Sequence, residues 1–231
     1  KKVVGEEYYR GISAVDFAND WGGRSKSNAS KITNDDLVLL AKFADVKTLE
    51  LGNNPAITDA GLIHLGELRV ETLYLYRTGI EGSGLLHLRP LQELKSVSLS
   101  HTPLQDGGLV HLKYLKKLSW LDLSNTNITD DGLCHLAGIA TLETLRLGNT
   151  SITDRGLDHL HAAKGLKNLS LGGTNVTAAG VRKLQTVLPA CKISPTADRL
   201  GAVPEDISLW EDAYSPTRAE LLEKVAELGG S

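Results

Sequence analysis

The stretch that decides the fold is Leu118-Ser-Trp-Leu121-Asp-Leu123-Ser-Asn-Thr126-Asn-Ile128-Thr-Asp130-Asp-Gly132-Leu133-Cys-His135-Leu136, because it returns from Leu142 with nearly the same lettering. The offset is 24 residues. Working outward in both directions, the isoleucine-type position falls at Ile32, Ile57, Ile80, Leu104, Ile128, Ile152 and Val176, in steps of 25, 23, 24, 24, 24 and 24. The middle apolar position recurs at Leu49, Leu73, Val97, Leu121, Leu145 and Leu169 in steps of 24 throughout. A period of this length marks a stacked repeat, in which one supersecondary unit is used many times. The composition agrees, since 40 of the 231 residues are leucine and only two are phenylalanine.

The unit can be read physically. In Leu-x-x-Leu-x-Leu the last two leucines lie two apart and share one face of a short strand, while the residues between them point the other way. Thr-Asp then supplies helix-capping oxygens, and Gly-Leu-x-His-Leu-x-x-Leu sets its leucines at three-residue steps on one side of a helix. No single unit buries both apolar surfaces. Neighbours must stack to complete the core, and their strands align in a parallel sheet. The expected fold class is α/β: a curved solenoid, a right-handed β-α superhelix with the sheet on its concave face and helices on its convex face.

The pattern L-x-x-L-x-L-x-x-T-x-I-T-D-x-G-L-x-H-L resembles a leucine-rich repeat, with threonine where that family more often has asparagine. The I-T-D-x-G-L-x-H-L portion is most similar to planctomycete-type bacterial repeats. It is more distantly similar to the cysteine-containing repeats of F-box adaptors, which carry a cysteine where this chain has Thr78, Thr102, Thr126, Thr150 and Thr174. The resemblance implies a non-enzymatic module that binds a protein or peptide partner through its concave face. The alternatives it leaves open are the substrate-recognition part of a ubiquitin-ligase-like adaptor and a structural or assembly component.

Three regions follow. Residues 1–11 read as an N-terminal cap and 12–194 as the solenoid. Residues 195–231 form a tail containing Pro195, Pro204 and Pro216, after which Thr217 to Glu220 reads as a capping box and Leu221, Leu222, Val225 and Leu228 share an apolar stripe. That tail either caps the solenoid or docks a partner. Val15 and Leu49 are 34 apart, so about ten extra residues fall in a loop between Ala18 and Lys31 that contains Trp21.

Charge and composition exclude other classes. A net charge of −3 gives no basic surplus for a phosphate backbone, which argues against nucleic acid. No apolar run reaches 18 residues, so this segment is expected to make no membrane contact. Cys134 and Cys191 are expected to be free thiols, since neither lies in a C-x-x-C pair. The chain contains no methionine and reads as a processed form or an excerpt. Both a cytoplasmic and an extracytoplasmic location, the latter with an anchor or export segment before Lys1, remain open.

The outward strand positions are the candidate contact residues. Tyr74, Tyr76, Arg77, Trp120, Asp122 and Arg146 stand out on a surface otherwise rich in serine and threonine, because aromatic residues and arginine are the usual anchors of protein interfaces. They are expected to form one patch on the second to fifth regular strands. The ladder His64, His87, His111, His135 and His159 invites a metal, but equivalent positions in stacked coils point in parallel and do not converge on one ion. The threonine ladder is expected to satisfy turn backbone, and Asp59, Asp106, Asp130 and Asp154 to cap helix starts. No nucleophile elbow, phosphate loop or H-E-x-x-H occurs. No enzyme activity, catalytic residue or cofactor is expected.

Overall fold

A computed structural model describes residues 14–17, 32–42 and 45–194. The N-terminal cap, the Ala18 to Lys31 loop and the tail helix expected from sequence lie outside the described residues.

Each coil contributes one three-residue strand. β1 (Ala14–Asp16), β2 (Thr48–Glu50), β3 (Thr72–Tyr74), β4 (Ser96–Ser98), β5 (Trp120–Asp122), β6 (Thr144–Arg146), β7 (Asn168–Ser170) and β8 (Lys192–Ser194) form one parallel sheet in sequence order. The register follows the repeat residue for residue: Leu73 pairs with Val97, Val97 with Leu121 and Leu121 with Leu145. Val15 pairs with Leu49 despite the 34-residue step between them. The longer step between β1 and β2 thus leaves the register of the sheet unchanged.

The inward leucines and isoleucines form a single cluster running the length of the sheet. Leu73, Leu75, Ile80, Leu85 and Leu88 of one coil are all fully buried, as are Leu121, Leu123, Ile128, Leu133 and Leu136 two coils on. Each such side chain contributes about 1.5–3 kcal/mol on burial. The cluster runs unbroken from coil to coil, so each coil needs its neighbours to complete its core.

The convex side departs from the expected row of α-helices. α1 (Asn34–Leu37), α2 (Asp130–Leu133), α3 (Asp154–His159) and α4 (Ala178–Val187) are α-helical, but Asp59–Leu65, Ser83–Leu88 and Asp106–Tyr114 are 3₁₀ segments. Both kinds of segment share buried leucines three apart, Leu62 with Leu65 and Leu85 with Leu88 in the 3₁₀ segments and Leu133 with Leu136 and Leu157 with Leu160 at α2 and α3, so this spacing does not decide between them.

Two side-chain ladders fix the turns. Thr78, Thr102, Thr126, Thr150 and Thr174 each donate a hydroxyl hydrogen bond, 2.6–2.7 Å long, to the carbonyl three residues earlier. The threonines thus occupy the backbone-satisfying role expected of them. Asn54 takes that place one coil earlier, donating to the Phe17, Leu51 and Gly52 carbonyls and accepting from the Ile32 N–H.

The aspartates differ from the expectation that each caps its own helix. Asp106, Asp130 and Asp154 accept the backbone N–H and hydroxyl of Thr129, Thr153 and Thr177 respectively, one coil further on, at 2.6–2.9 Å. Asp59 likewise reaches forward to the N–H groups of Glu81, Gly82 and Gly84. Each carboxylate is a clamp between coils. It also explains the glycine of T-D-x-G: a Cβ on Gly132, Gly156 or Gly180 would lie 2.1–2.3 Å from the Oδ1 of the preceding coil's aspartate.

Candidate functional site

The concave side chains form two rows set by the register. One runs Glu50, Tyr74, Ser98, Asp122, Arg146 and Ser170; the other runs Thr48, Thr72, Ser96, Trp120, Thr144 and Asn168. Identical backbone geometry does not give identical access. Thr48, Glu50, Tyr74 and Ser98 are buried, whereas Trp120, Asp122, Thr144, Arg146 and Ser170 are half-buried and Asn168 is exposed. Thr72 and Ser96 are half-buried as well, so the sheet is open along both rows at β5 to β7 and along one row at β3 and β4.

Tyr74 carries the clearest correction. Expected in a wet hollow, it is only 5% exposed. Burial, with the Glu50 carboxylate adding to it, pushes its phenol well above the ordinary tyrosine value. Glu50 is committed locally, accepting the Gly52 N–H at 2.7 Å. Tyr76 is half-buried, and its ring lies over Gly52, where a Cβ would come within 2.3 Å of the tyrosine Cζ. A side chain at this position would have to displace that ring.

Trp120, Asp122 and Arg146 come together. The Arg146 guanidinium lies 5.6 Å from the centre of the Trp120 ring, and the register sets Arg146 beside Asp122. Asp122 accepts the Ser124 N–H at 2.9 Å, which holds its carboxylate along the strand. The result is a compact surface of one aromatic face, one anion and one cation on a rigid sheet.

Arg77 stands apart beyond the C-terminal end of β3, exposed, in a row whose positions recur every 24 residues. Asn53, Arg77, His101, Asn125 and Asn149 all have left-handed backbone, with φ between 52° and 58°. Their N–H groups point at the next coil's carbonyls, from Asn53 to Tyr76, Arg77 to Ser100 and His101 to Ser124. Asparagine suits this conformation, histidine less so and arginine poorly. The side chains also stack: Arg77 Nη1 donates to Asn53 Oδ1, Asn149 Nδ2 to Asn125 Oδ1, and Asn125 Nδ2 lies 3.2 Å from His101 Nε2. Burial first and Arg77 second hold the His101 imidazole below its usual pKa, with Asp122 opposing them.

At the opposite edge lies a ladder that the sequence reading missed. Lys47, Glu71, Lys95, Ser119, Glu143 and Lys167 recur every 24 residues, and Glu71 pairs with both Lys47 and Lys95, while Glu143 pairs with Lys167. Glu93 and Lys117 form a parallel rung at 2.6 Å. These exposed pairs each contribute little to stability. An open groove lies between them, lined by Lys95, Lys116, Lys117, Thr141, Glu143 and Lys167. The fixed spacing was the available signal.

The histidines of the convex ladder are half-buried, and the only contact of theirs to another side chain in that row's surroundings that reaches hydrogen-bond range is His111 Nδ1 with Arg89 at 3.5 Å, among the described residues. Among the same residues, no three or more His, Cys, Asp or Glu side chains converge as a metal site would require. No described helix is long and apolar enough to cross a membrane. Cys134 and Cys191 are free thiols, the first exposed and the second buried.

A family model described as Leucine Rich repeat matches residues 45–66 and 111–137. No curated protein sequence matches the chain. Among solved structures, internalin C2 of Listeria monocytogenes superposes with a TM-score of 0.52 at 20% identity, over 83% of this chain and 84% of that one. A leucine-rich-repeat protein of Leptospira interrogans gives 0.50 at 20% identity, over 67% of this chain; the match spans 44% of the Leptospira chain, less than half its length. At such identity the likeness concerns the fold alone. The 24-residue repeat, the two stretches matched by the family model and the stacked architecture agree in giving this chain a leucine-rich-repeat fold.

Proposed function

We propose that the chain is a non-enzymatic binding module that takes a protein or peptide partner on its concave sheet, with Trp120, Asp122 and Arg146 as the central contacts. Tyr76 and Arg77 extend the surface toward the C-terminal ends of the strands, and buried Tyr74 lies two strands from Asp122 in the same row. The single observation that carries this reading is the Arg146 guanidinium held near the Trp120 face with Asp122 in register beside it. Such a cluster offers a partner an aromatic platform and both signs of charge. Arginine and tryptophan dominate binding energy where they are ordered before the partner arrives. A sheet tied by backbone hydrogen bonds loses little conformational entropy on binding, so few anchors suffice.

The test uses peptides selected against the full chain from a random display library. The double substitution Trp120→Ala with Arg146→Ala should weaken the selected peptides at least tenfold, and the convex substitution Arg155→Ala should leave them unchanged. Equal affinity for the parent chain and the concave variant would place the binding surface elsewhere.

A further inference from the structure

The convex face carries an apolar row that the repeat does not require. The residue between the core leucine and the ladder histidine is Ile63, Leu86, Val110 and Cys134 in successive coils, with Val38 at the matching place directly after α1. Val38 is 50%, Ile63 55% and Leu86 41% exposed, and Cys134 is exposed beyond them. The same position then turns charged, at Asp158 and Arg182. The row therefore has ends, as an occupied surface does, and it lies on the face opposite the concave patch.

We propose that the chain's own C-terminal segment, Thr217 to Leu228, docks along this row as an amphipathic helix. Four observations favour that occupant. Its apolar residues Leu221, Leu222, Val225 and Leu228 lie on one side at helical spacing. Twelve residues of helix span about 18 Å, which matches the length of three to four coils at about 4.8 Å each. Twenty-two residues separate Ser194, the end of β8, from Thr217. Extended, they reach roughly 70 Å, well beyond the roughly 25 Å back to the coil of Leu86.

Charge supplies the third observation. Eight acidic and three basic residues give 195–231 a charge of −5, of which −4 lies on the connecting residues 195–216 and −1 on Thr217 to Leu228, within a total of −3 that leaves +2 on residues 1–194. Around the middle of the row stand Arg89 and Lys113, both exposed, the former lying 4.0 Å over the Tyr114 ring. Area is the fourth. A stable dimer needs about 800 Å² from each partner, whereas a single row of part-exposed side chains on a convex surface offers at most a few hundred. A tethered segment needs less contact, because its effective concentration is of millimolar order.

The test is a disulfide trap in the full chain. With Cys134→Ser removing the exposed thiol and Cys191 left buried, Leu86→Cys is combined with Val225→Cys on the apolar side of the segment. A parallel chain carries Glu223→Cys on the opposite side instead. Under mild oxidation the Val225→Cys chain should close within one molecule at least tenfold faster than the Glu223→Cys chain. Equal closure from both positions would mean random collision and overturn the proposal, as would closure from neither. A link formed only between two molecules would overturn it in favour of a second copy. Failure would leave the concave reading untouched, since none of these residues lies on the sheet.

Discussion

Glycine has two distinct situations in this chain, and they predict opposite results. At Gly156 a methyl group would meet the Asp130 Oδ1 at 2.3 Å, and that oxygen is held by Thr153. Gly156→Ala should therefore lower stability by about 1–3 kcal/mol, as overpacking against a fixed group does. At Gly107 nothing lies within 4 Å of the position a Cβ would take. Gly107→Ala should raise stability by about 0.4–1 kcal/mol through the unfolded chain. Urea unfolding of the two variants checks both, and equal shifts would remove the clamp as the reason for the T-D-x-G glycine. Arg77 poses the converse case. It sits at φ 52° where its counterparts Asn53, Asn125 and Asn149 are asparagine. Arg77→Asn should raise the urea midpoint by an amount equal to about 0.5–1 kcal/mol. If it also weakens the display-selected peptides, the strained arginine is maintained by binding and not by folding.

The element that joins one coil to the next is the aspartate clamp, and its protonation gives a pH signature. Hydrogen bonds from the Thr177 hydroxyl first and its N–H second hold Asp154 below the usual carboxylate pKa. A folded-state pKa below the unfolded value means the contribution is complete above about pH 4 and is lost as pH falls through the depressed value. Stability should decline on acidification below about pH 4, and Asp154→Asn should flatten that limb while lowering stability at pH 7. Equilibrium unfolding between pH 2 and 7 measures it; an unchanged acid limb in the variant would deny the clamp its role. This contact shows what a one-dimensional reading finds and misses. The acidic positions and their T-D-x-G setting are plain in the sequence, and spacing along the chain points each at the helix it begins. The partner lies 23 residues on, visible only once coils are stacked. The strands, their register and the leucine core were legible because period and face follow directly from spacing. Access was not, since Tyr74 and Arg146 occupy equivalent strand positions and differ in what surrounds them. The convex row at Ile63 and Leu86 was equally present in the spacing, but packing reasoning looks for buried apolar residues and passes over exposed ones.

At the scale of the whole molecule, every strand from β2 to β8 pairs at a step of 24, so the solenoid is a one-dimensional array in which each coil touches only its neighbours. A closed globule cannot lose an internal slice, whereas this architecture can. Deleting Trp120 to Glu143 removes one coil and brings Thr144 into the place of Trp120, so that Ser96 would pair with Thr144 and Ser98 with Arg146. Val97 then meets Leu145 across the new junction, and Asp106 meets Thr153 in place of Thr129, with the same residue types at each contact. The shortened chain should fold, keep its circular dichroism per residue, and unfold cooperatively at a lower urea midpoint with a slope reduced by roughly a tenth, in proportion to the surface lost. Deleting only Trp120 to Asp131, half a coil, sets strand residues against turn residues and should give no cooperative transition. Because the 24-residue deletion also removes Trp120 and Asp122, it should abolish binding of the display-selected peptides while leaving the fold intact. That result would separate the array, which tolerates loss, from the surface built on it, which does not.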